Sequence, residues 1–568
     1  MRIWYNERNA RVKKMGYKRG IDRGQCTVLP TSLEEMIAGE NPVRVVDAFV
    51  DSLSLEGIGA CRIKPAQTGR PPYDARDLFK LYIYGRMNRI RSSRRLQAEC
   101  GRNIEVMWLI NGLEPDFRTI ADFRKDNCAA IKAVFRAFVK TCDELELLGK
   151  ELCVLDGTKV RACNSIKKSF TADLLEKKLA YLQEQEAALD RYLSDMDIED
   201  ARETTLRLDV SKEAAPEKLR QVRERAAKYR GYQKRMEETG ETHILETDPD
   251  CGTLHSKDGL HPAYNIQTVV DEKHHLIADF MTTNHNTDQG LLLPMAEQMK
   301  ETLCVDRVHF VADKGYESRE DIEKCLLNGV IPDVGFKYDK EARYHVMDYE
   351  PADITPAEKS STKPDDIQKC LHAGVLPDCY EGSNIQVEVQ HLEVESCFLR
   401  DEDGRVTCPM GRELFKQRER KNGTIYGSRE ACRTCPCRCT QNRGKKTVSF
   451  GPNTVYVPVI LYGAGDYPVQ QIPNIEQNTP YHAYRRRKWK NARVMVTIRR
   501  DLALQQKRKE MAEHPFGTIK WYDGAHYFLC RGKEKVSAEM ALSYLSYNIR
   551  RAINILGVPG ILMHFCRK

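Results

Sequence analysis

The sequence predicts a mixed α/β core that follows an all-helical domain and is interrupted by a cysteine-rich insertion with β-structure. Amphipathic helices fill the first quarter of the chain, and short apolar strands that alternate with helices come next. A late cluster of cysteines within β-rich sequence indicates the insertion. These patterns predict five segments: an N-terminal arm at 1–42, the helical domain at 43–148, the first part of the core at 149–336, the insertion at 337–500, and C-terminal core helices at 501–568.

The composition restricts the class of protein. The 568 residues carry a formal net charge of +8, and 41% of them are hydrophobic, which is enough apolar sequence for folded cores. The chain has no run of about 18 apolar residues, and its first residues lack an apolar signal segment, so we expect no membrane span and no export. We therefore expect a cytoplasmic protein in which most of the 20 cysteines are reduced.

The helical domain begins after Pro42, a residue that often precedes or opens a first helical turn. An amphipathic helix is expected from Val43, and a second from Asp74 to Ile90 after the break at Gly69–Tyr73. The helical pattern then continues to Leu147, which predicts a domain without strands.

The core is predicted from apolar, strand-like runs. They lie at 152–162, 264–270, 276–281, 308–313 and 330–336. A charged segment at 171–240 separates the first run from the second, and its recurring leucines predict a hairpin of two helices. A hairpin-connected start followed by alternating strands and helices predicts a mixed five-stranded sheet with helices on both faces. This is the strand order of the ribonuclease-H-like fold.

Two aspartates stand at the ends of predicted strands. Asp156 ends the first apolar run and precedes Gly157, and Asp313 ends the fourth. Open α/β sheets place ligands at such strand ends, and paired carboxylates suit Mg²⁺. Each aspartate alone could simply cap a turn. Asp288 is interpreted as a helix N-cap.

Three segments in order resemble the DDE transposases of bacterial insertion sequences. They are Leu155-Asp156-Gly157-Thr158, Ala312-Asp313-Lys314-Gly315-Tyr316 and Glu513-His514-Pro515-Phe516-Gly517-Thr518-Ile519-Lys520. The resemblance is to the branch whose third segment has a Tyr-Arg-Glu-Lys signature. The helical region around 71–127 resembles the N-terminal domain of the same transposases, so the resemblance covers about 40–340 and 480–558.

The resemblance implies that Asp156, Asp313 and Glu513 are the catalytic carboxylates and hold two Mg²⁺ or Mn²⁺ ions. Lys520, two helical turns after Glu513, is implied to reach DNA phosphate. The chain departs from the signature at Gln506, where a tyrosine is expected, and at Lys509, where an arginine is expected. Glu510 and Glu539 are rival third carboxylates.

Basic clusters suggest a DNA interface. The residues that we expect to contact DNA are Arg91, Arg94, Arg95, Arg486, Arg487, Lys509 and Lys520. Tyr484 and Trp489 lie beside the second cluster, and aromatic side chains among basic ones suit stacking on unpaired bases. A solvated helix face is the alternative for either cluster. Lys257 and His261 are weaker candidates, because a plain turn before a strand explains them equally well.

The cysteine cluster in the insertion predicts a structural zinc site. Tetrahedral zinc takes four ligands, and thiolates at this spacing supply them. We favour Cys408, Cys432, Cys435 and Cys439, with Cys437 as the alternate. Free cysteines are the other interpretation.

Together these features predict a transposase that cuts DNA at the ends of its element and transfers the strands into target DNA. The expected partners are double-stranded DNA, both terminal inverted repeats and target, and a second copy of the chain on that DNA. No membrane partner is expected, and the protein would be associated with the bacterial nucleoid when bound to DNA. The alternatives are a metal-dependent nuclease without strand transfer and an inactive, transposase-derived DNA-binding protein.

Overall fold

A computed structural model describes most of the chain. The described residues are 32–61, 72–165, 168–194, 214–256, 259–336, 341–391, 395–420, 423–435, 439, 446–452, 454–460 and 492–566. None of the helices in these ranges is long and apolar enough to span a lipid bilayer.

Helices form the first part of the described chain, as the periodicity predicts. They are α1 Leu33–Met36, α2 Val43–Asp51, α3 Ala75–Met87, α4 Ser93–Cys100, α5 Ile104–Leu109, α6 Phe117–Asp126 and α7 Cys128–Glu144. Asp74, Asn103 and Asp116 cap α3, α5 and α6 by accepting a backbone N–H within the first turn, which explains where these helices begin.

The α/β core follows. Its strands are β1 Leu152–Arg161, β4 Gly252–Ser256, β5 Gly259–Asp271, β6 Ile277–Thr283, β7 Val308–Ala312 and β8 Val330–Val334, with β2 Ser169–Thr171 and β3 His243–Leu245 forming a small separate pair. Its helices are α8 Ala172–Ser194, α9 Ala215–Thr239, α10 Leu292–Leu303 and α11 Arg319–Leu327. Helices α8 and α9 pack on each other through a small apolar cluster of their own.

Among the described residues the central sheet has six strands, one more than the sequence predicted. Strand β5 pairs antiparallel with β1 along one edge, and with both β4 and β6 along the other. Strands β1, β7 and β8 are parallel neighbours. The additional strand is β4, which is too short and polar to show as an apolar run.

The segment between the two parts of the core contains further strands. A three-stranded sheet joins β9 Ala342–Asp348, β10 Ile385–His391 and β17 Ala492–Arg499. A second sheet joins β11 Glu395–Arg400, β12 Val406–Thr407, β13 Glu413–Arg420, β14 Gly423–Gly427, β15 Thr447–Phe450 and β16 Tyr456–Ile460. Short helices accompany them: α12 Pro356–Lys359, α13 Pro364–His372 and α14 Arg429–Arg433.

Two helices close the fold, α15 Leu502–Gly517 and α16 Lys533–Cys566, which is kinked at Gly557. Helix α15 lies on β1 and β7, where Met511 and Ala512 pack on Val154 and Val311. Helix α16 joins the helical domain to the sheet: Asn548 exchanges two hydrogen bonds with the backbone of Ile277, at 2.8 and 2.9 Å. One continuous apolar core therefore extends from the N-terminal helices through the sheet.

Candidate active site

The two predicted aspartates lie side by side. In the parallel pairing of β1 with β7, Leu155 is opposite Ala312, so the next residue of each chain segment is Asp156 and Asp313. One expectation was wrong: Asp156 does not end its strand. Strand β1 continues to Arg161 because it stays paired with β5, whereas β7 stops at Ala312. The carboxylates meet where the parallel pairing ends, which is the crevice that open α/β sheets use for ligands.

Asp156 is three-quarters buried, and its environment affects its charge. Burial raises the pKa of Asp156 to about 6; the Arg508 guanidinium lowers it, while the carboxylates of Asp313 and Asp288 raise it further. The backbone N–H of Gly157 donates to Asp156 Oδ1 at 2.8 Å, and the N–H of Gly315 donates to Asp313 Oδ1 at 2.7 Å. An excess of negative charge therefore collects at this point, which is the electrostatic setting that favours a bound cation.

Asp288 lies close enough to Asp156 for its charge to raise the pKa of that carboxyl, and its interpretation as a helix N-cap was wrong. Helix α10 begins at Leu292, and Asp288 lies in the preceding loop. Its Oδ1 instead accepts hydrogen bonds from Asn265 Nδ2 and Gln267 Nε2, both at 2.7 Å. The donors come from a strand more than twenty residues earlier, so no local sequence signal indicated this contact.

Steric contacts explain why glycine follows Asp156 directly, at Gly157, and follows Asp313 after one residue, at Gly315. A Cβ atom on Gly157 would lie 2.7 Å from Asp288 Oδ1 and 2.8 Å from Gln267 Nε2. A Cβ atom on Gly315 would lie 2.8 Å from Asp313 Oδ1 and 3.4 Å from Asp288 Oδ2. A side chain at Gly157 would displace Asp288 and its partner Gln267, and a side chain at Gly315 would displace Asp313.

Helix α15 brings positive charge to the site. Arg508 Nη1 lies 3.4 Å from Asp156 Oδ2, and the arginine side chain is 13% exposed. Lys520 Nζ donates to the carbonyl oxygen of Lys159 at 3.0 Å. Burial lowers the pKa of Lys520 to about 8, against the opposing effect of the Asp156 charge. Arg508, next to the position where the signature expects arginine, is thus the basic residue that contacts Asp156.

Glu513 is exposed on α15. The expected alignment with Lys520 on one helical face does not hold, because the α-helix ends at Gly517 and continues as a π-helix from Thr518 to Tyr522. Pro515, inside the helix, lacks the N–H of a regular turn. Within the described part of the chain, no three His, Cys, Asp or Glu side chains are arranged to hold a metal ion.

The rival carboxylate Glu539 has a different role. It is buried in α16, and its Oε1 lies 3.0 Å from both Arg86 and Arg91. The N–H groups of Leu529 and Cys530 donate to its Oε2, each at 3.0 Å. Burial acts to raise the pKa of Glu539, but the charges of Arg86, Arg91 and Arg124 outweigh it and lower that pKa to about 2. Glu539 therefore ties the N-terminal helices to α16, away from the three aspartates.

The residues expected at a DNA interface differ in their surroundings. Arg91 pairs with Glu539 and donates to the carbonyl oxygens of Gly524 and Tyr527, so we remove it from that interface. Arg94, Arg95 and Lys509 are exposed, and Lys520 is turned toward Lys159 as described above. Five of the candidates lie outside the described residues: Lys257, Tyr484, Arg486, Arg487 and Trp489. His261 lies in β5 and is half-buried.

The cysteines of the insertion lie near one another. Burial raises the pKa of Cys439 to about 12, and the thiols of Cys435, Cys408 and Cys432 add to the effect. Arg412 connects the two cysteine segments: it follows the turn at Cys408 and donates to Ala431 O and Thr434 Oγ1, both at 2.8 Å. Cys437 lies outside the described residues.

Two family models match the chain. Residues 31–126 match the model described as Transposase domain (DUF772), and residues 227–368 match the model described as Transposase DDE domain. The second match contains Asp288 and Asp313, whereas Asp156 and Glu513 lie outside both matches. No curated protein and no solved structure matches the chain.

These domains identify the class of protein. Both matched segments are transposase domains, and together they support a DDE transposase of the insertion-sequence type. The DDE domain implies a ribonuclease-H-like fold, in agreement with a mixed sheet in which β1 is central between antiparallel β5 and parallel β7.

Proposed function

We propose that this transposase cuts phosphodiester bonds at the ends of its element and joins the freed ends to target DNA, using divalent cations. The observation that carries the proposal is the juxtaposition of Asp156 and Asp313 where the pairing of β1 with β7 ends. Both chemical steps are in-line phosphoryl transfers, so one site can serve both.

The donor set at this site fits Mg²⁺ or Mn²⁺. Carboxylate oxygens are the ligands that these hard cations prefer, and Asp156 and Asp313 present them together with the excess negative charge of Asp288. Bound there, a pair of cations would stabilise the charge that develops on the attacking and leaving oxygens. We propose Glu513 as the third catalytic carboxylate, by its place in the signature-like segment, and as the residue that α15 supplies when DNA is bound.

The basic residues of this chain have proposed roles in holding DNA. Arg508 lies 3.4 Å from Asp156 and would be available to a DNA phosphate if a cation were held by that carboxylate. Lys509 and Lys520 lie on the same segment and would contact the same strand. We propose that the N-terminal helices bind the terminal inverted repeats and that two copies of the chain act together, because two ends have to be joined.

One experiment separates this function from its alternatives. The full-length protein is mixed with Mg²⁺, a target plasmid and two copies of the DNA that flanks its gene. A transposase joins flanking DNA to the plasmid. A nuclease cuts without joining, and an inactive DNA-binding protein retards the fragments without cutting them.

The first basic cluster gives a quantitative test. Arg94 and Arg95 are exposed on α4, with the Arg94 guanidinium 4.0 Å from the centre of the Phe117 ring. If both contact phosphates, replacing them with alanine removes about two contacts, and the slope of log K against log salt becomes shallower by roughly two units. Binding titrations with DNA from the element end, at several salt concentrations, measure this slope. The control replaces Arg225 and Arg230, two exposed arginines of α9, and so removes the same charge elsewhere. Equal slopes in the two variants would mean that Arg94 and Arg95 lie on a solvated helix face and do not contact DNA.

We also propose that Cys408, Cys432, Cys435 and Cys439 hold a structural zinc ion in the insertion. The four thiols lie close enough for the others to raise the pKa of Cys439, and Arg412 connects the two segments that carry them. Thiolates are the ligands that structural zinc uses most often, and bound zinc would contribute folding free energy directly.

Metal analysis tests the zinc proposal. We expect one zinc ion per purified chain, and Cys435→Ser should release it and make the segment from 400 to 445 sensitive to protease. Cys304→Ser, at an exposed cysteine outside the insertion, is the control and should keep the metal. Purified protein that contains no zinc would contradict the proposed zinc site.

A further inference from the structure

We propose that two arginines of the turn between α3 and α4 are positioning residues, which hold the segment that carries Lys520 against β1. They are Arg89 and Arg91. The same turn leads into α4, so it would connect the binding of DNA ends to their cleavage. This inference rests on the proposed function. Contacts between the turn, at 88–92, and the chain at 518–529, which we call the Lys520 segment, carry the inference.

Arg91 makes the first set of contacts. Its two terminal nitrogens donate to the carbonyl oxygens of Gly524 and Tyr527, and its guanidinium carbon lies 4.7 Å from the centre of the Tyr527 ring. The same guanidinium pairs with the buried Glu539 at 3.0 Å, and the arginine side chain is 10% exposed. Hydrogen bonds from a charged donor are stronger than those between neutral groups. One arginine of the turn therefore fixes two carbonyl groups of the Lys520 segment.

Arg89 makes the second contact and has an unusual backbone conformation. Its guanidinium carbon lies 3.3 Å from the centre of the ring of Tyr522, a residue that is 59% exposed. A cation this close to an aromatic ring is attracted by the ring. The φ angle of Arg89 is +60°, in the left-handed region that residues other than glycine rarely adopt. Such a conformation persists only where surrounding contacts hold it, and the contact with Tyr522 is one of them.

The end of α3 adds a third contact. Arg550 of α16 donates to the carbonyl oxygen of Met87 at 3.2 Å and to Asp523 Oδ1 at 2.9 Å. Asp523 lies between Tyr522 and Gly524 in the sequence. The three sets of contacts thus engage consecutive residues of the Lys520 segment, and three different arginines make them.

The Lys520 segment also lies along β1. The N–H of Phe528 donates to the carbonyl oxygen of Arg161 at 2.9 Å, and Lys520 Nζ donates to the carbonyl oxygen of Lys159 at 3.0 Å. Both acceptors follow Asp156 on the same strand. The turn before α4 is therefore connected, through one segment, to the strand that carries Asp156.

This arrangement gives the turn a role in positioning. Helix α4 follows the turn, and its exposed arginines are proposed to hold DNA from the element end. DNA bound there would be placed relative to Lys520 by the contacts of the turn, and small misplacements of a substrate greatly reduce the reaction rate. A turn that only stabilised the fold would make the same contacts. The two roles differ in one measurable property: a positioning turn changes the cleavage rate of bound DNA and leaves DNA affinity and thermal stability unchanged.

The test compares two variants that break the contact between Arg89 and Tyr522. Arg89→Gly removes the guanidinium at a backbone conformation that glycine adopts freely, and Tyr522→Leu removes the ring and keeps every charge. For each full-length variant we measure the Kd for DNA from the element end without added cation, and the maximal cleavage rate with saturating DNA and Mg²⁺. We expect the rate to fall about tenfold or more in both variants, with Kd changed by less than about twofold and the melting temperature unchanged. Backbone amides of the Lys520 segment should exchange hydrogen faster in both.

Four further variants keep the result interpretable. Arg89→Lys keeps a cation beside the ring and should restore the cleavage rate. The double variant Arg89→Gly with Tyr522→Leu should cleave as fast as either single variant, because both changes remove one contact. Arg91→Lys keeps the charge beside Glu539 but lacks the planar fork that reaches two carbonyl oxygens, and should slow cleavage. Lys150→Gly removes the same charge at a similar φ of +64°, in the loop before β1, and should leave the rate unchanged.

The outcomes separate this inference from the proposed function. If the unaltered protein cleaves the DNA and both single variants cleave it equally fast, the turn serves only the fold and the inference is overturned. If Arg89→Gly weakens binding and makes its salt dependence shallower while Tyr522→Leu does not, Arg89 contacts a DNA phosphate and the inference is overturned as well. If the unaltered protein does not cleave the DNA, the proposed function fails, and a positioning role for the turn fails with it.

Discussion

Cation-dependent DNA cleavage is expected to fall by about 10³-fold or more, without loss of DNA binding, in each of three variants: Asp156→Asn, Asp313→Asn and Glu513→Gln. Each amide keeps the size of the side chain and removes the charge that binds the cation. Cleavage of end-labelled flanking DNA, with a mobility-shift measurement on the same fragment, checks both parts. Glu510→Gln, one turn away on the exposed surface of α15, is the matched control for Glu513.

The pH dependence of cation binding provides a second readout for the same site. Because burial raises the pKa of Asp156 to about 6, a proton competes with the cation at and below that pH. Apparent Mg²⁺ affinity should be constant well above pH 6 and fall by about tenfold for each pH unit below it. An affinity that stays flat down to pH 5 would mean that Asp156 is not a ligand.

Glu539→Gln is expected to be strongly destabilising. The substitution leaves Arg86 and Arg91 buried without their shared carboxylate, and breaking a buried ion pair in this way costs about 3–5 kcal/mol. We expect the melting temperature to fall by several degrees and the N-terminal helices to become sensitive to protease, since Glu539 joins them to α16. Glu534→Gln, at an exposed position of the same helix, should change neither.

The Glu539 variant also distinguishes Glu539 from Glu513 as the third carboxylate. If Glu539→Gln folded and melted like the unaltered protein but lost cleavage, and Glu513→Gln cleaved normally, the assignment of Glu513 would be wrong. The four hydrogen-bonding and ionic contacts of Glu539 argue for the structural role.

Local sequence signals were sufficient for the order of the core strands and for the meeting of Asp156 with Asp313. Apolar runs locate strands, and parallel neighbours bring their carboxyl ends to one edge. The same signals predicted a strand over 152–162, close to the observed β1, but they treated Asp156 as the end of its apolar run. The pairing that continues past Asp156 comes from β5, a hundred residues later.

The contacts of Asp288, Arg91 and Arg508 could not be predicted from local patterns. Asp288 looks like a cap in sequence, and its role depends on two amides from β5. Arg91 belongs to a basic run that suggests DNA, yet it pairs with a glutamate more than four hundred residues away. Arg508 meets Asp156 only because α15 packs across β1 and β7. Each contact joins distant segments, and one sequence without aligned relatives carries no signal for such pairs.

The most direct test of the central claim is the sequencing of DNA junctions formed by the purified protein. Full-length protein, Mg²⁺, the DNA that flanks the gene on both sides and a target plasmid are combined, and new junctions are amplified and read. We predict that one fixed terminal nucleotide of the flanking DNA is joined to target DNA, that junctions require Mg²⁺ or Mn²⁺, and that Asp156→Asn forms none. Binding of the flanking DNA without any junctions, or junctions that persist in Asp156→Asn, would contradict the account.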